Sequence, residues 1–286
     1  MKIITFDDPK RFLERVQPFL EADEALNSLI LGVNMRLVKH PDWTEVPPYQ
    51  AAVEGEDGAL HLVASITPPN NLLVAGAPDV PEEALDVLAL NLLEGGWDFP
   101  GVNGEKVLAG RAAAAWSRLT GQNYRVKMRL RAYELRQVIP PPAPPPGYLR
   151  HARMDELDLM AQWRNAFTVE SLHAEPDPNS HEKVKRVIEA GSLYLWDDNG
   201  PASIAASTRS TPRGISIGAV YTPPEKRGHG YASACVAALS QRMLDEGKEF
   251  CALFTDLDYP TSNSIYQKIG YQMVGDFQEY RFDKSA

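Results

Sequence analysis

In the C-terminal half of the chain, the spacing of apolar residues changes from one segment to the next. Met154, Leu157, Met160, Ala161 and Trp163 recur at helical intervals, which predicts an amphipathic helix over Met154–Phe167, and a second is expected over His181–Ala190. Ser192–Trp196 is a short apolar run that ends in the turn formers Asp197-Asp198-Asn199-Gly200, and Ala202–Thr208 is the expected return strand. A turn at Thr211-Pro212-Arg213-Gly214 leads to a third strand, Ile215–Tyr221. A Gly-rich stretch follows, then a long helix, Tyr231–Asp245, with Gly247 where a C-terminal cap belongs. A strand at Phe250–Thr255, a short helix at Ser262–Ile269 closed by Gly270, and a strand at Met273–Phe282 complete the half. Two helices, an antiparallel meander, then helix, strand, helix and strand describe a mixed α/β (α+β) fold with a mostly antiparallel sheet.

The N-terminal half repeats part of this order. Helical periodicity covers Lys10–Glu21, and strands are expected at Tyr49–Val53, Leu60–Thr67 and Leu72–Ala75. They are separated by the turns Glu54-Gly55-Glu56-Asp57-Gly58 and Pro68-Pro69-Asn70-Asn71. Helices at Pro81–Glu94 and Ala109–Leu119 and a strand at Tyr124–Leu135 follow, the strand carrying Arg125, Lys127, Arg129 and Arg131 on one solvated face. The shared order points to an internal duplication. Between the halves, residues 139–147 read IPPPAPPPG, which can form neither a helix nor a central strand and predicts an extended spacer. The expected organisation is therefore 1–138, a Pro-rich linker at 139–147, and 148–286.

Composition narrows the function. The chain has 286 residues with 44% hydrophobic and 23% charged positions, enough to bury a sizeable core. Lys plus Arg is 29 and Asp plus Glu is 38, a net charge of −9. That balance repels phosphate backbones, so nucleic acid is not the expected partner, and it leans toward a cationic small substrate. The two cysteines, Cys235 and Cys251, exclude a disulfide framework, and the six histidines show no metal-ligand spacing, so no metal is expected. The first residues are charged throughout and no apolar run has spanning length, so no signal peptide or membrane partner is expected and the location is cytoplasmic.

The chemistry concentrates in Ala219–Ala232, AVYTPPEKRGHGYA. A strand ends near Tyr221; Pro223 and Pro224 withhold backbone donors and force the chain out of the sheet. Gly228 and Gly230 place no side chain between backbone N–H groups and a ligand, and a helix begins immediately after them. Free N–H groups and the helix dipole there favour an anion, and Lys226 and Arg227 add positive charge. The stretch is a phosphate or pyrophosphate cradle, neither a Walker loop nor a dinucleotide fingerprint.

This stretch resembles the acetyl-CoA motif of the Gcn5-related N-acetyltransferases, the GNAT family, in which R/Q-x-x-G-x-G/A binds the CoA pyrophosphate. Glu225-Lys226-Arg227-Gly228-His229-Gly230 occupies it, with Glu225 in place of Arg or Gln. YTPPExRGxGYA resembles a bacterial branch of the family. Residues 258–271, DYPTSNSIYQKIGY, are similar to a second family motif through Asn263, Tyr266, Gly270 and Tyr271. The resemblance covers Tyr148–Asp283 and implies a tandem GNAT architecture whose N-terminal domain is degenerate, because Gly76–Glu83 has no GxG and carries acids that repel a pyrophosphate.

The resemblance implies an acetyltransferase that passes acetyl from the cosubstrate acetyl-CoA directly to a primary amine of a small molecule or peptide. The alternative is a CoA-binding scaffold without turnover. Cofactor contacts are implied for Val220, Tyr221, Thr222, Lys226, Arg227, Gly228, His229, Gly230, Tyr231, Ala232, Asn263 and Tyr266. A backbone N–H near Val220–Thr222 polarises the thioester carbonyl and Tyr266 is the general acid toward the thiolate. The strand Ala202–Thr208 offers only Ser203, Ser207 and Thr208, so the base is sought among Glu170, His173 and Glu175, with Glu170 put forward and water-relayed deprotonation equally open. The resemblance leaves monomer or homodimer open.

Overall fold

The computed structural model describes residues 1–283. They form two compact units: Met1–Ala132 with the chain from Val274 onward, and Tyr133–Met273. In chain order the elements are β1 (Lys2–Thr5), α1 (Pro9–Glu21), α2 (Ser28–Lys39), β2 (Tyr49–Glu54), β3 (Leu60–Ile66), β4 (Leu72–Gly76), α3 (Glu82–Glu94), β5 (Gly101–Glu105), α4 (Lys106–Thr120) and β6 (Tyr124–Leu135). The same succession then recurs as β7 (Tyr148–His151), α5 (Leu157–Leu172), α6 (Ser180–Glu189), β8 (Leu193–Asp197), β9 (Pro201–Ser210), β10 (Gly214–Tyr221), α7 (Tyr231–Asp245), β11 (Phe250–Asp256), α8 (Pro260–Lys268) and β12 (Gln272–Phe282).

Local chemistry accounts for the element ends. Asp8 caps α1, accepting from the Lys10 N–H at 2.8 Å, with Pro9 at the first helical position. Glu105 caps α4 through the N–H groups of Val107 and Leu108, and Gly121 ends that helix at φ 74°. The turn between β8 and β9 places Asn199 at φ 53° and Gly200 at φ 128°, and Asp197 accepts from the Gly200 N–H at 2.8 Å.

In each unit a mostly antiparallel sheet is flanked by helices. The first unit orders its strands β1-β2-β3-β4-β5-β12-β6, with β4 and β5 parallel. One face of this sheet packs Tyr49, Ala51 and Val53 against α3 and α4, and the other packs Ala52 and Val63 against α1 and α2. The second unit runs β11-β10-β9-β8-β7, with β10 and β11 parallel and the other pairs antiparallel. Along β8, Tyr194 and Trp196 join the α7 side while Leu193 and Leu195 join the α5 side, the period of two that a sheet requires.

The units divide differently from the expected 1–138 and 148–286. The last strand, β12, belongs to the first unit, where it pairs antiparallel with β5, Phe277 opposite Glu105. The end of β6 goes to the second unit, with Tyr133 and Leu135 buried among α7 residues. The Pro-rich stretch also lies in the second unit. The Pro146 carbonyl accepts from the Trp196 indole N–H at 2.9 Å, and a Cβ on Gly147 would come within 2.3 Å of the Asp197 carbonyl oxygen. Segments β1, α2, β5 and β7 had no counterpart in the sequence expectation.

Candidate active site

The site begins with the way β10 and β11 part. They pair from Gly214–Phe250 to Ser216–Ala252, and then run on to Tyr221 and Asp256 without further pairing to each other. On its other edge β10 is bulged against β9 between Gly218 and Tyr221, and Ala219 has φ 51°, a conformation that costs a non-glycine residue free energy. The backbone of Ala219 and Val220 is thereby turned out of the ladder. Buried Ser203 secures the end of the strand, donating to the Tyr221 carbonyl at 3.1 Å with the Thr222 hydroxyl 2.9 Å away. Thr208 also fastens β9 to β10, donating to the Ser216 carbonyl at 3.1 Å.

Beyond Tyr221, a 3₁₀ turn at Pro224–Lys226 leads into the glycines. Gly228 and Gly230 have φ 83° and 81°, and α7 starts immediately after Gly230. A Cβ on Gly228 would meet nothing within 4 Å, and one on Gly230 only a Pro145 ring carbon at 3.8 Å. The N–H groups from Gly228 to Ser233 find no acceptor among the described residues, and no acid stands in the first turn of α7. Together these features leave an open, donor-lined anion site at a helix N-terminus. Lys226 is half-buried beside it, and His229 is exposed with its ring stacked on Tyr231 at 5.7 Å. Tyr231 is buried and donates its hydroxyl to Asp198, which holds its phenol above the usual value. Ala232 contributes a backbone N–H in the same first turn.

The apparent departure at Glu225 has a structural answer. The pattern R/Q-x-x-G-x-G/A is met in full two residues on, by Arg227-Gly228-His229-Gly230-Tyr231-Ala232. That frame puts its fixed glycine at the residue that opens α7 and its basic residue at Arg227, while Glu225 lies outside it on the exposed 3₁₀ turn.

Arg227 is tied down on three sides. Its Nε donates to the Thr222 carbonyl at 2.9 Å, its Nη2 donates to Glu170 Oε2 at 2.6 Å, and its guanidinium lies 5.7 Å from the Tyr221 ring centre. The Tyr221 hydroxyl donates to the other oxygen of Glu170 at 2.9 Å. Partial burial works to raise the Glu170 carboxyl, but the hydrogen bonds from Arg227 and Tyr221 outweigh it and hold the carboxyl below its usual value. A carboxylate engaged at both oxygens is a poor proton acceptor. Glu170, put forward from sequence as the base, is here the brace between α5 and the cradle loop. Its exposed neighbour Glu175 has no partner among the described residues.

Tyr266 on α8 is buried, packs edge-on against Tyr271 at 5.9 Å, and makes no hydrogen bond through its hydroxyl among the described residues. Burial raises its pKa, with Cys235 adding to the effect, so the phenol keeps its proton. Asn263 departs from the ligand contact implied by the resemblance. Its Oδ1 accepts from Thr255 and from Tyr133 at 3.1 Å, and its Nδ2 donates to the carbonyls of Asp256 at 3.0 Å and Tyr259 at 3.1 Å. Both donors and both acceptor sites of the amide are spent on fastening the β11–α8 loop. Cys235 and Cys251 are fully buried, and burial pushes each thiol up to about 12, which keeps them inert. Among the described residues no group of three His, Cys, Asp or Glu could hold a metal ion, and no helix is long and apolar enough to cross a membrane.

A family model described as FR47-like protein matches residues 198–282. No curated protein matches the chain. Among solved structures, the chain is similar to a Drosophila protein from a structural genomics consortium, at 11% identity over 98% of each chain with a TM-score of 0.70. It is similar to a GCN5-related N-acetyltransferase from Sphaerobacter thermophilus, at 14% identity over 98% of this chain and 95% of that one, TM-score 0.65. It is also similar to a tandem GNAT protein from the clavulanic acid biosynthesis pathway, at 12% identity over the whole of both chains, TM-score 0.53. These likenesses show the fold, a GNAT fold present in tandem.

Proposed function

We propose that the chain is an acetyl-CoA-dependent N-acetyltransferase that passes the acetyl group directly to a primary amine of a small molecule or peptide. The observation that carries this reading is the parting of β10 and β11 beside the open N-terminus of α7, found in the second unit and not in the first. The donor-lined cradle fits a pyrophosphate, because adjacent N–H groups with no acceptor among the described residues precede α7, and the two glycines leave space beside them. In this reading the Val220 N–H, on the stretch of β10 that no longer pairs with β11, polarises the thioester carbonyl as in an oxyanion hole. Tyr266, a phenol protonated at neutral pH, gives its proton to the departing thiolate. Glu170 braces Arg227 and Tyr221 so that the cradle loop keeps its shape. The first unit takes no CoA, and the acidic balance of the chain favours a cationic acceptor in the cytoplasm.

The test is release of free thiol from acetyl-CoA in the presence of spermidine, lysine methyl ester and a peptide with a free N-terminus. Amine-dependent thiol release matched by acetylated product supports the transferase. Tight acetyl-CoA binding without thiol release favours a CoA-binding scaffold instead.

A further inference from the structure

With Glu170 committed to Arg227 and Tyr221, the base that the reaction needs must come from another group at the open end of β10 and β11. Asp256 is the last residue of β11, four positions beyond the last residue that pairs with β10. Its side chain is 15% exposed, and both side chain and backbone are held. Its Oδ1 accepts from the Asp258 N–H at 2.8 Å, and its carbonyl accepts from the saturated amide of Asn263 at 3.0 Å. Facing it is His173, the residue that ends α5. His173 sits at φ 49°, a left-handed conformation that glycine or asparagine fills more readily, and its Nε2 lies 3.6 Å from Asp256 Oδ2. The ring is 65% exposed, so a proton on it can leave to solvent. Asp256 is the charged group set against His173 among the described residues; Glu170, on the same helix, is turned to Arg227 and Tyr221, and Glu175 is exposed.

We propose that His173, oriented by Asp256, is the catalytic residue that takes a proton from the acceptor amine, and that Asp256 is its positioning residue. The proposal rests on the transferase reading above. A primary ammonium gives up two protons on becoming an amide. With Nε2–H turned to Asp256, the other ring nitrogen, Nδ1, takes one before attack and passes it to solvent. The freed lone pair forms the N–C bond as the C–S bond breaks. The second proton, acidic once the N–C bond exists, replaces through water the one that Tyr266 gives to sulfur. The left-handed backbone at residue 173 aims the ring across the gap to β11, and Asn263 acts at one remove by holding the Asp256 backbone.

The experiment compares wild type, His173→Gly, His173→Asn and Asp256→Asn in the full chain. It measures thiol release with the three amines above, and acetyl-CoA affinity by calorimetry. Glycine and asparagine both tolerate positive φ, so neither variant strains the end of α5. The expected result is a loss of kcat of about 10²-fold or more in both His173 variants. Acetyl-CoA affinity is unchanged, and added imidazole restores His173→Gly. Asp256→Asn loses about tenfold in kcat and imidazole does not restore it, because the ring is still present. Activity of His173→Gly within twofold of wild type overturns the proposal, and so does a loss that imidazole does not restore. No thiol release by the wild type with any of the amines contradicts the transferase reading itself, and the proposal falls with it.

Discussion

The helix that follows the third strand of the meander starts differently in the two units. In the second unit α7 opens on Gly230, with no acid in its first turn and unengaged N–H groups in front of it. In the first unit α3 opens on Pro81, which has no N–H, and continues with Glu82 and Glu83. Arg111 donates to the Val80 carbonyl at 2.7 Å and to Glu82 at 2.7 Å, and the chain's amino group donates to Glu83 at 2.9 Å. A helix N-terminus already carrying its own anions has no call for another. The parallel strands differ as well. The pairing of β4 with β5 reaches Val74–Gly104, within two residues of the end of either strand, and the cavity lined by Leu73, Val74 and Asn103 is about 10 Å³, room for about one water molecule. Under the proposed function, one order of elements yields a ligand site only where the strands part and the helix start is left bare. The fold supplies the frame, and a handful of residues decide whether the frame is used.

The sharpest way to break this comparison is at the phenol of α8, since α4, which holds the same place in the order of the first unit, carries no tyrosine. Tyr266→Phe keeps the packing against Tyr271 and removes the proposed proton donor, and is expected to lower the rate of acetyl transfer by about 10²–10⁴-fold with acetyl-CoA affinity kept. Loss of affinity in place of rate, read by calorimetry, would make Tyr266 a packing residue.

Next in size is stability. Arg150 joins β7, the 3₁₀ turn before α5 and β8, donating to both oxygens of Glu156, at 2.9 and 2.6 Å, and to Asp197 at 2.7 Å, with all three side chains no more than 14% exposed. Arg150→Ala leaves two little-exposed carboxylates without their cation and is expected to cost about 2–3 kcal/mol in urea unfolding. Arg111→Ala, on α4 where its side chain meets the start of α3, is expected to cost under about 1 kcal/mol.

The same network gives a pH dependence. Hydrogen bonding from Arg150 holds the Glu156 carboxyl below its usual value, and the Gly200 N–H together with Arg150 does so for Asp197. A carboxyl depressed in the folded state stabilises above its unfolded pKa, and that contribution is lost as pH falls through the folded value. Stability is therefore expected to fall progressively below about pH 4, the ordinary carboxylate range, and less steeply in Arg150→Ala; thermal melts across pH 2–6 read both. The smallest expected effect is none at all. Replacing Glu82 and Glu83 by glutamine removes the acids at α3, yet the first unit gains no acetyl-CoA binding because β4 and β5 remain closed.

Much of this frame was legible from residue patterns. α7 falls on its expected Tyr231–Asp245, and the glycines of the cradle stand where a strand gives way to a helix. Other parts depend on contacts that no local pattern carries. The sequence of β5, GVNGE, has no alternation and two glycines, and it is a strand because of its neighbours. A Cβ on Gly101 would come within 1.9 Å of the Tyr280 carbonyl oxygen, and one on Gly104 within 2.6 Å of that of Val74. The placement of β12 beside β5 is likewise a long-range choice. In the site, Glu170 and Asn263 were visible as residues but their partners were not. The partners brace Glu170 between Arg227 and Tyr221 and engage the Asn263 amide in the β11–α8 loop. Asp256 carried no motif; only the fold brings it to His173.

The central claim is that one unit of the two binds the cosubstrate. Calorimetric titration of the full chain with acetyl-CoA, beside a Gly228→Asp, Gly230→Asp variant, tests it most directly. Binding of one molecule per chain, lost in the variant, is the predicted result. Two molecules per chain, or binding that survives the two aspartates, would contradict it.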